Sequence, residues 1–85
     1  MDVLMGKNVF VRTVTNYFTG RLAAVDDQTL QLDDAAWVAD TGRFADALSK
    51  GSLTEVEPYP GTVFVNRGAV TDVCEWLHEL PRAQK

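Results

Sequence analysis

The 85-residue chain predicts a mostly-β single domain: a five-stranded, strongly bent antiparallel barrel with a short helical insertion between its third and fourth strands. Three observations carry that expectation. Three runs of alternating apolar and polar residues arrive in quick succession, joined by short turns, which is the pattern of a meander. A glycine, Gly20, interrupts the second run, where a strand either bends sharply or is closely approached by another backbone. Two further short apolar runs follow a long irregular segment.

Taken in order, Gly6 ends a one-turn N-terminal piece, and Lys7 to Thr15 alternates as a first strand. Val9, Val11 and Thr13 face one way there, and Phe10, Arg12 and Val14 the other. Asn16 and Tyr17 make a turn into a second strand, Phe18 to Val25. Asp26-Asp27-Gln28 is a turn, rich in residues whose side chains bond their own backbone. A third strand, Thr29 to Ala36, sets Leu30 and Leu32 on one face and Gln31 and Asp33 on the other. Residues 37–60 break the strand pattern. Asp40 or Thr41 is the expected cap of a short helix that runs through Lys50 and stops at Gly51, with Phe44, Ala47 and Leu48 on one face. Pro58-Tyr59-Pro60-Gly61 is a stiff turn before a fourth strand, Thr62 to Asn66. After Arg67-Gly68 a fifth strand covers Ala69 to Trp76, and residues 77–85 are expected as a polar tail whose last residues fray.

Composition bounds the function. A domain this short is often marginal alone and relies on disulfides, a metal or self-association. One cysteine, Cys74, excludes an internal disulfide, and one cysteine with one histidine, His78, cannot build a Cys/His metal cage. Cys74 is expected as an inert buried thiol and His78 as a solvated residue. The lone thiol suits a reducing cytoplasm, and no apolar run is long enough to span a membrane. Net charge is −4 and unevenly spread. Residues 1–25 carry +2, residues 26–57 carry −6 from eight acids against Arg43 and Lys50, and the remainder balances. An acidic chain is not drawn to phosphates by its overall field, so nucleic acid would need a local basic surface.

Few motifs suggest chemistry. Asp40-Thr41-Gly42 matches the triplet of aspartic proteases, but Arg43 and a helix-like run follow it, and a helix start explains Asp40 as well. Asp26-Asp27 and Asp33-Asp34 lack calcium-loop spacing. Trp37 and Trp76 read as buried or interface anchors before they read as base-stacking platforms. There is no phosphate loop, nucleophile triad or metal-ligand cluster, so no enzyme, cofactor or metal is expected.

Two segments bring a family into view. Phe18 to Asp26, continuing through Leu30-Gln31-Leu32-Asp33-Asp34-Ala35, resembles the first motif of the Sm-like proteins: a glycine in strand two, an apolar residue, a turn aspartate and alternating leucines. Val63-Phe64-Val65-Asn66-Arg67-Gly68-Ala69-Val70 resembles the second, a short apolar strand meeting an Arg-Gly pair. The resemblance implies an SH3-like barrel, a cyclic homo-oligomer of about five to seven subunits closed by fourth-strand to fifth-strand pairing, and binding of single-stranded RNA or DNA. Arg67, Gly68, Asn66, Gln28, Arg12 and Arg21 are the residues expected to contact it. The ligand pocket departs from the family. Uridine-binding members carry an asparagine after the turn aspartate beside a stacking aromatic, whereas Gln28 and Thr29 stand here without one. The segment between the motifs is also longer than usual. A second reading therefore stays open: a structural or adaptor ring, of the kind found in phage-like or mobile gene sets, that binds a protein through residues 37–60 and no nucleic acid.

Overall fold

The computed structural model describes residues 1–85. A single 3-10 turn, Asp2–Leu4, leads into β1 (Asn8–Thr13), β2 (Tyr17–Val25) and β3 (Thr29–Asp40). Helix α1 (Phe44–Lys50) follows, then β4 (Glu55–Pro58), β5 (Val63–Asn66), a 3-10 turn at Arg67–Ala69, and β6 (Val70–Glu75). All pairings are antiparallel, in the order β4-β3-β2-β1-β6, with β5 also on β3.

The sheet has six strands rather than five, and it is not closed. The difference lies in residues 37–60, where β3 runs four residues past the expected Ala36 and Glu55–Pro58 pairs with Ala36–Asp40. β2 occupies one edge of β3, so β4 and β5 follow one another along the other edge. Together they act as one strand interrupted by the turn at residues 59–62. A four-residue strand that ends on proline has too little alternation to stand out in the sequence.

The bend comes where Gly20 was expected to place it. Thr19 pairs with Ala36 and Arg21 with Asp33, so Asp34 and Ala35 bulge opposite Gly20. Asp34 takes a left-handed φ of 50°, unusual for a residue other than glycine. A Cβ on Gly20 would lie 3.0 Å from Leu32 Cβ and 3.3 Å from Ala35 Cβ.

β1 is buried on both faces. Val9 and Val11 join Leu22, Leu30, Leu32, Ala35 and Val65 in one core. Phe10, on the opposite face, joins Ala36, Val38, Ala47, Leu53, Val56 and Trp76 in a second. There Phe10 stacks between Tyr17 and Trp76, each with ring centroids 5.3 Å away. The insertion forms the roof of this second core. α1 lays Ala47 onto it, leaves Phe44 and Leu48 partly exposed, and ends at Gly51 with φ +74°. The helix is not capped as expected: Arg43 holds the cap position without a side-chain bond, while Asp40 accepts from Gly42 N–H at 2.8 Å in a turn of its own.

Three further expectations are corrected. The tail is pinned, not frayed. Lys85 and Val56 exchange backbone hydrogen bonds of 2.9 and 3.2 Å along the outer edge of β4, and Arg82 donates to the carbonyls of Ala35 and Tyr59. His78 is half-buried and held in place rather than free in solvent. Its Nε2–H donates to the Leu48 carbonyl at 2.8 Å and its ring meets Trp76 edge-on. Cys74 lies exposed on the outward side of β6, where partial burial and Asp72 still push its thiol above the ordinary range.

Two substitutions test this packing. Gly20→Val should cost about 1–3 kcal/mol, because the backbone must shift to admit it; an unchanged thermal midpoint would put the bend elsewhere. Thr19, fully buried opposite Phe10, has a hydroxyl with no partner. Thr19→Val keeps the shape and removes the unmet group, so it should stabilise by about 1 kcal/mol and raise Tm by several degrees. A lowered Tm would mean the hydroxyl is satisfied.

Candidate functional site

Four of the six expected contact residues come together at one end of the sheet. The turn after β2 is tied by Asp26, whose carboxylate accepts from the backbone N–H of Gln28 and of Thr29, both at 2.8 Å. These two bonds, aided by the Thr29 hydroxyl and the charge of Arg67, hold the Asp26 carboxyl below the usual carboxylate range. The turn after β5 is tied by Asn66, whose Oδ1 accepts from Gly68 N–H at 2.9 Å. Two bonds of 2.7 Å then stitch the turns to each other: Arg67 N–H to the Gln28 carbonyl, and Arg67 Nη1 to the Asp26 carbonyl. The cross-strand pair Thr29 and Asn66 fixes the register.

Arg67 thus ties two loops through backbone carbonyls rather than through a carboxylate. A guanidinium has five N–H donors, so the Nη1 bond leaves most of them available. Gln28, Asn66, Arg67 and Gly68 are all exposed. The cluster offers an amide, the Asn66 amide N–H donors and a delocalised cation on one small surface, a set suited to a phosphate or a base edge.

The other two arginines stand apart. Arg12, on β1, pairs with Asp72 on β6, which pushes the guanidinium pKa further up, and it sits 5.9 Å over the Phe44 ring. Arg21, on β2, meets Asp34 at 2.9 Å and Asp33 at 3.9 Å, and Thr62 donates to Asp33. Both positive charges are balanced within the chain. The Asp33-Asp34 pair is occupied by these partners, and no group of three or more His, Cys, Asp or Glu side chains is arranged to hold a metal ion. Trp76 is 3% exposed and serves the second core, whereas Trp37 is half-buried on β3. No helix is long and apolar enough to cross a membrane.

A second feature escaped the sequence reading. A groove lined by Met1, Leu4, Val70, Val73, Thr71, Asp72 and Arg67 runs along the outer, unpaired edge of β6. The outer edge of β5 is also unpaired, and Phe64 on that strand is 62% exposed. The apolar alternation of Val63, Phe64 and Val65 marks a strand but does not say that one side of it lacks a partner.

No protein-family model matches the chain, and no curated protein matches it in sequence. Among solved structures it is similar to a heptameric archaeal Sm protein described for its implications for the eukaryotic snRNP core. The TM-score is 0.61 over 87% of this chain and 91% of that one, at 22% identity. The bent antiparallel sheet with its two motif-bearing loops is therefore the Sm fold, here with a split fourth strand and an inserted helix.

The Asp26 turn yields a pH prediction. A carboxyl held below its unfolded value lends stability above about pH 3.8, and that stability disappears as pH falls through the lower, folded value. Asp26→Asn keeps an acceptor for the turn but cannot titrate. Acid unfolding followed by circular dichroism should therefore show a flatter low-pH limb for the variant. Identical limbs would mean the Asp26 bonds persist in the unfolded chain.

Proposed function

We propose that this chain is a non-enzymatic subunit of a closed homo-oligomeric ring, of about five to seven copies, that binds single-stranded RNA or DNA at its central opening. The observation that carries the reading is the stitched pair of loops presenting Gln28, Asn66 and Arg67 together. In a ring, one Arg67 per subunit forms a belt of positive charge around a narrow opening. Such a belt acts locally on an acidic protein, because exposed charges are screened beyond roughly 10 Å at moderate salt. Two unpaired edges, of β5 and of β6, supply the means of closure: β5 of one copy extends the sheet of the next through its β6. The likeness to a heptameric Sm protein supports the same arrangement.

Two observations favour the second reading, an adaptor ring that binds protein through residues 37–60. Arg12 and Arg21 are neutralised by acids, and no aromatic stands at Gln28 or Thr29 to stack a base. That leaves Arg67 as the one expected arginine contact without a carboxylate partner.

Light scattering should give five to seven times the 9.4 kDa subunit mass; a clean monomer at micromolar concentration overturns the ring. Fluorescence anisotropy with labelled oligo-U and oligo-A should then show binding that weakens with salt and falls about tenfold or more in Arg67→Ala, the loss of a charge-assisted contact. An intact ring that binds neither oligomer at low salt leaves the adaptor as the function.

A further inference from the structure

We propose that the groove between Trp37 and Glu57 is a binding site for an arginine side chain of a partner protein. The site is built across three strands. Phe18 on β2, Trp37 on β3 and Glu57 on β4 are direct neighbours in register, so their side chains form one row on one face of the sheet. Tyr59 closes one side, its ring stacked 6.3 Å from Phe18, and Pro58 lies between it and Glu57. Trp37, Glu57, Pro58 and Tyr59 line an open groove.

The row carries a carboxylate without a counter-charge. Glu57 is exposed and forms no ion pair, although it stands beside an indole. Further along the same strand pair, Glu55 is in register with Asp40, and like charges directly opposite one another are destabilising. The chain's own nearby cations are committed elsewhere. Arg82 donates to the Ala35 and Tyr59 carbonyls, and Lys85 Nζ to the Leu53 carbonyl. A planar guanidinium satisfies the row at once: it stacks on the indole, forks to the Glu57 carboxylate, and lays its methylene stem along the Pro58-Tyr59 ridge. Lysine can provide the charge but neither the stack nor the fork. None of the groove's lining residues lies on the Arg67 loops or on β5 or β6.

The test is intrinsic tryptophan fluorescence with end-blocked penta-arginine as the probe. Trp76 is 3% exposed, so a change in emission reports Trp37. Titration at low salt should give a saturable shift that is absent in Trp37→Phe and about tenfold weaker in Glu57→Gln, with penta-lysine binding several-fold less tightly than penta-arginine. Far-UV circular dichroism checks that both variants fold, and Glu57→Gln, an isosteric change at an exposed position, keeps the test usable if Trp37→Phe does not. A shift that persists in Trp37→Phe overturns the proposal. So does an Asp46→Asn variant that weakens binding as much as Glu57→Gln, since the probe would then be sensing only the general acidic field. Emission that changes with protein concentration alone, and ceases to do so in Arg43→Ala, would assign the groove to a second copy and overturn it too. The readout uses no nucleic acid, so its failure is separate from failure of the RNA-binding reading.

Discussion

The close approach at Gly20 is the constraint on which the rest of the architecture depends. With no side chain at that position, β3 comes within 3.0 Å of where a Cβ would stand, and its Asp34-Ala35 bulge is accommodated there. The two long strands bend together at this point. One half of β3 then faces β5 and the other faces β4, so the split of the fourth strand follows from the bend. The left-handed backbone at Asp34 carries a local cost that the Arg21 ion pair and the packing of Ala35 help to offset.

Bending a small sheet leaves an outer face that an 85-residue chain can ill spare to solvent. Here the insertion and the tail cover it. Ala47, Leu53 and Val56 come down on Phe10 from one side, and Trp76 and Leu80 from the other. The two coverings lock together where Gly51 meets His78: a side chain at Gly51 would collide with the imidazole, which donates to the helix's own Leu48 carbonyl. Glycine therefore serves two ends here, the left-handed helix stop and the space for a ring. The same segment, through Lys85, pairs with Val56 and occupies the outer edge of β4, so of the interrupted fourth strand only β5 keeps an open edge.

How much of this could be read from the sequence depended on the range of the interactions. The meander, the Asp26 turn, the Gly51 stop and the Gly20 bend are local events, and each has its own residue signature. The closeness of Gln28 to Asn66 and Arg67 was legible only through the resemblance of the two motifs, because it arises from β3–β5 pairing across some forty residues. What could not be read was long-range and polar. Nothing local distinguishes Arg12 and Arg21, which are balanced by Asp72 and by Asp33 and Asp34, from Arg67, which is not. The tail looked free because its anchors are backbone groups of Val56, Ala35 and Tyr59 rather than patterned side chains.

The distribution of unbalanced charge gives the molecule two chemically opposite faces. The chain is acidic overall, yet its acids are not equivalent. Asp33, Asp34 and Asp72 are spent on arginines and Asp26 on backbone N–H groups, whereas Glu57 remains open beside Trp37. At the loop end the Asp26 carboxylate is turned toward its own turn, and the guanidinium of Arg67 is exposed with donors to spare. Within a Debye length it is these local balances, not the net charge of −4, that a ligand feels. An anion that meets the loop end and a cation that meets the Trp37 groove therefore need not compete. The −6 carried by residues 26–57 is divided between the two: Asp40, Glu55 and Glu57 lie along β3 and β4 with no ion pair, and Asp27, also without one, lies on the turn that Arg67 holds.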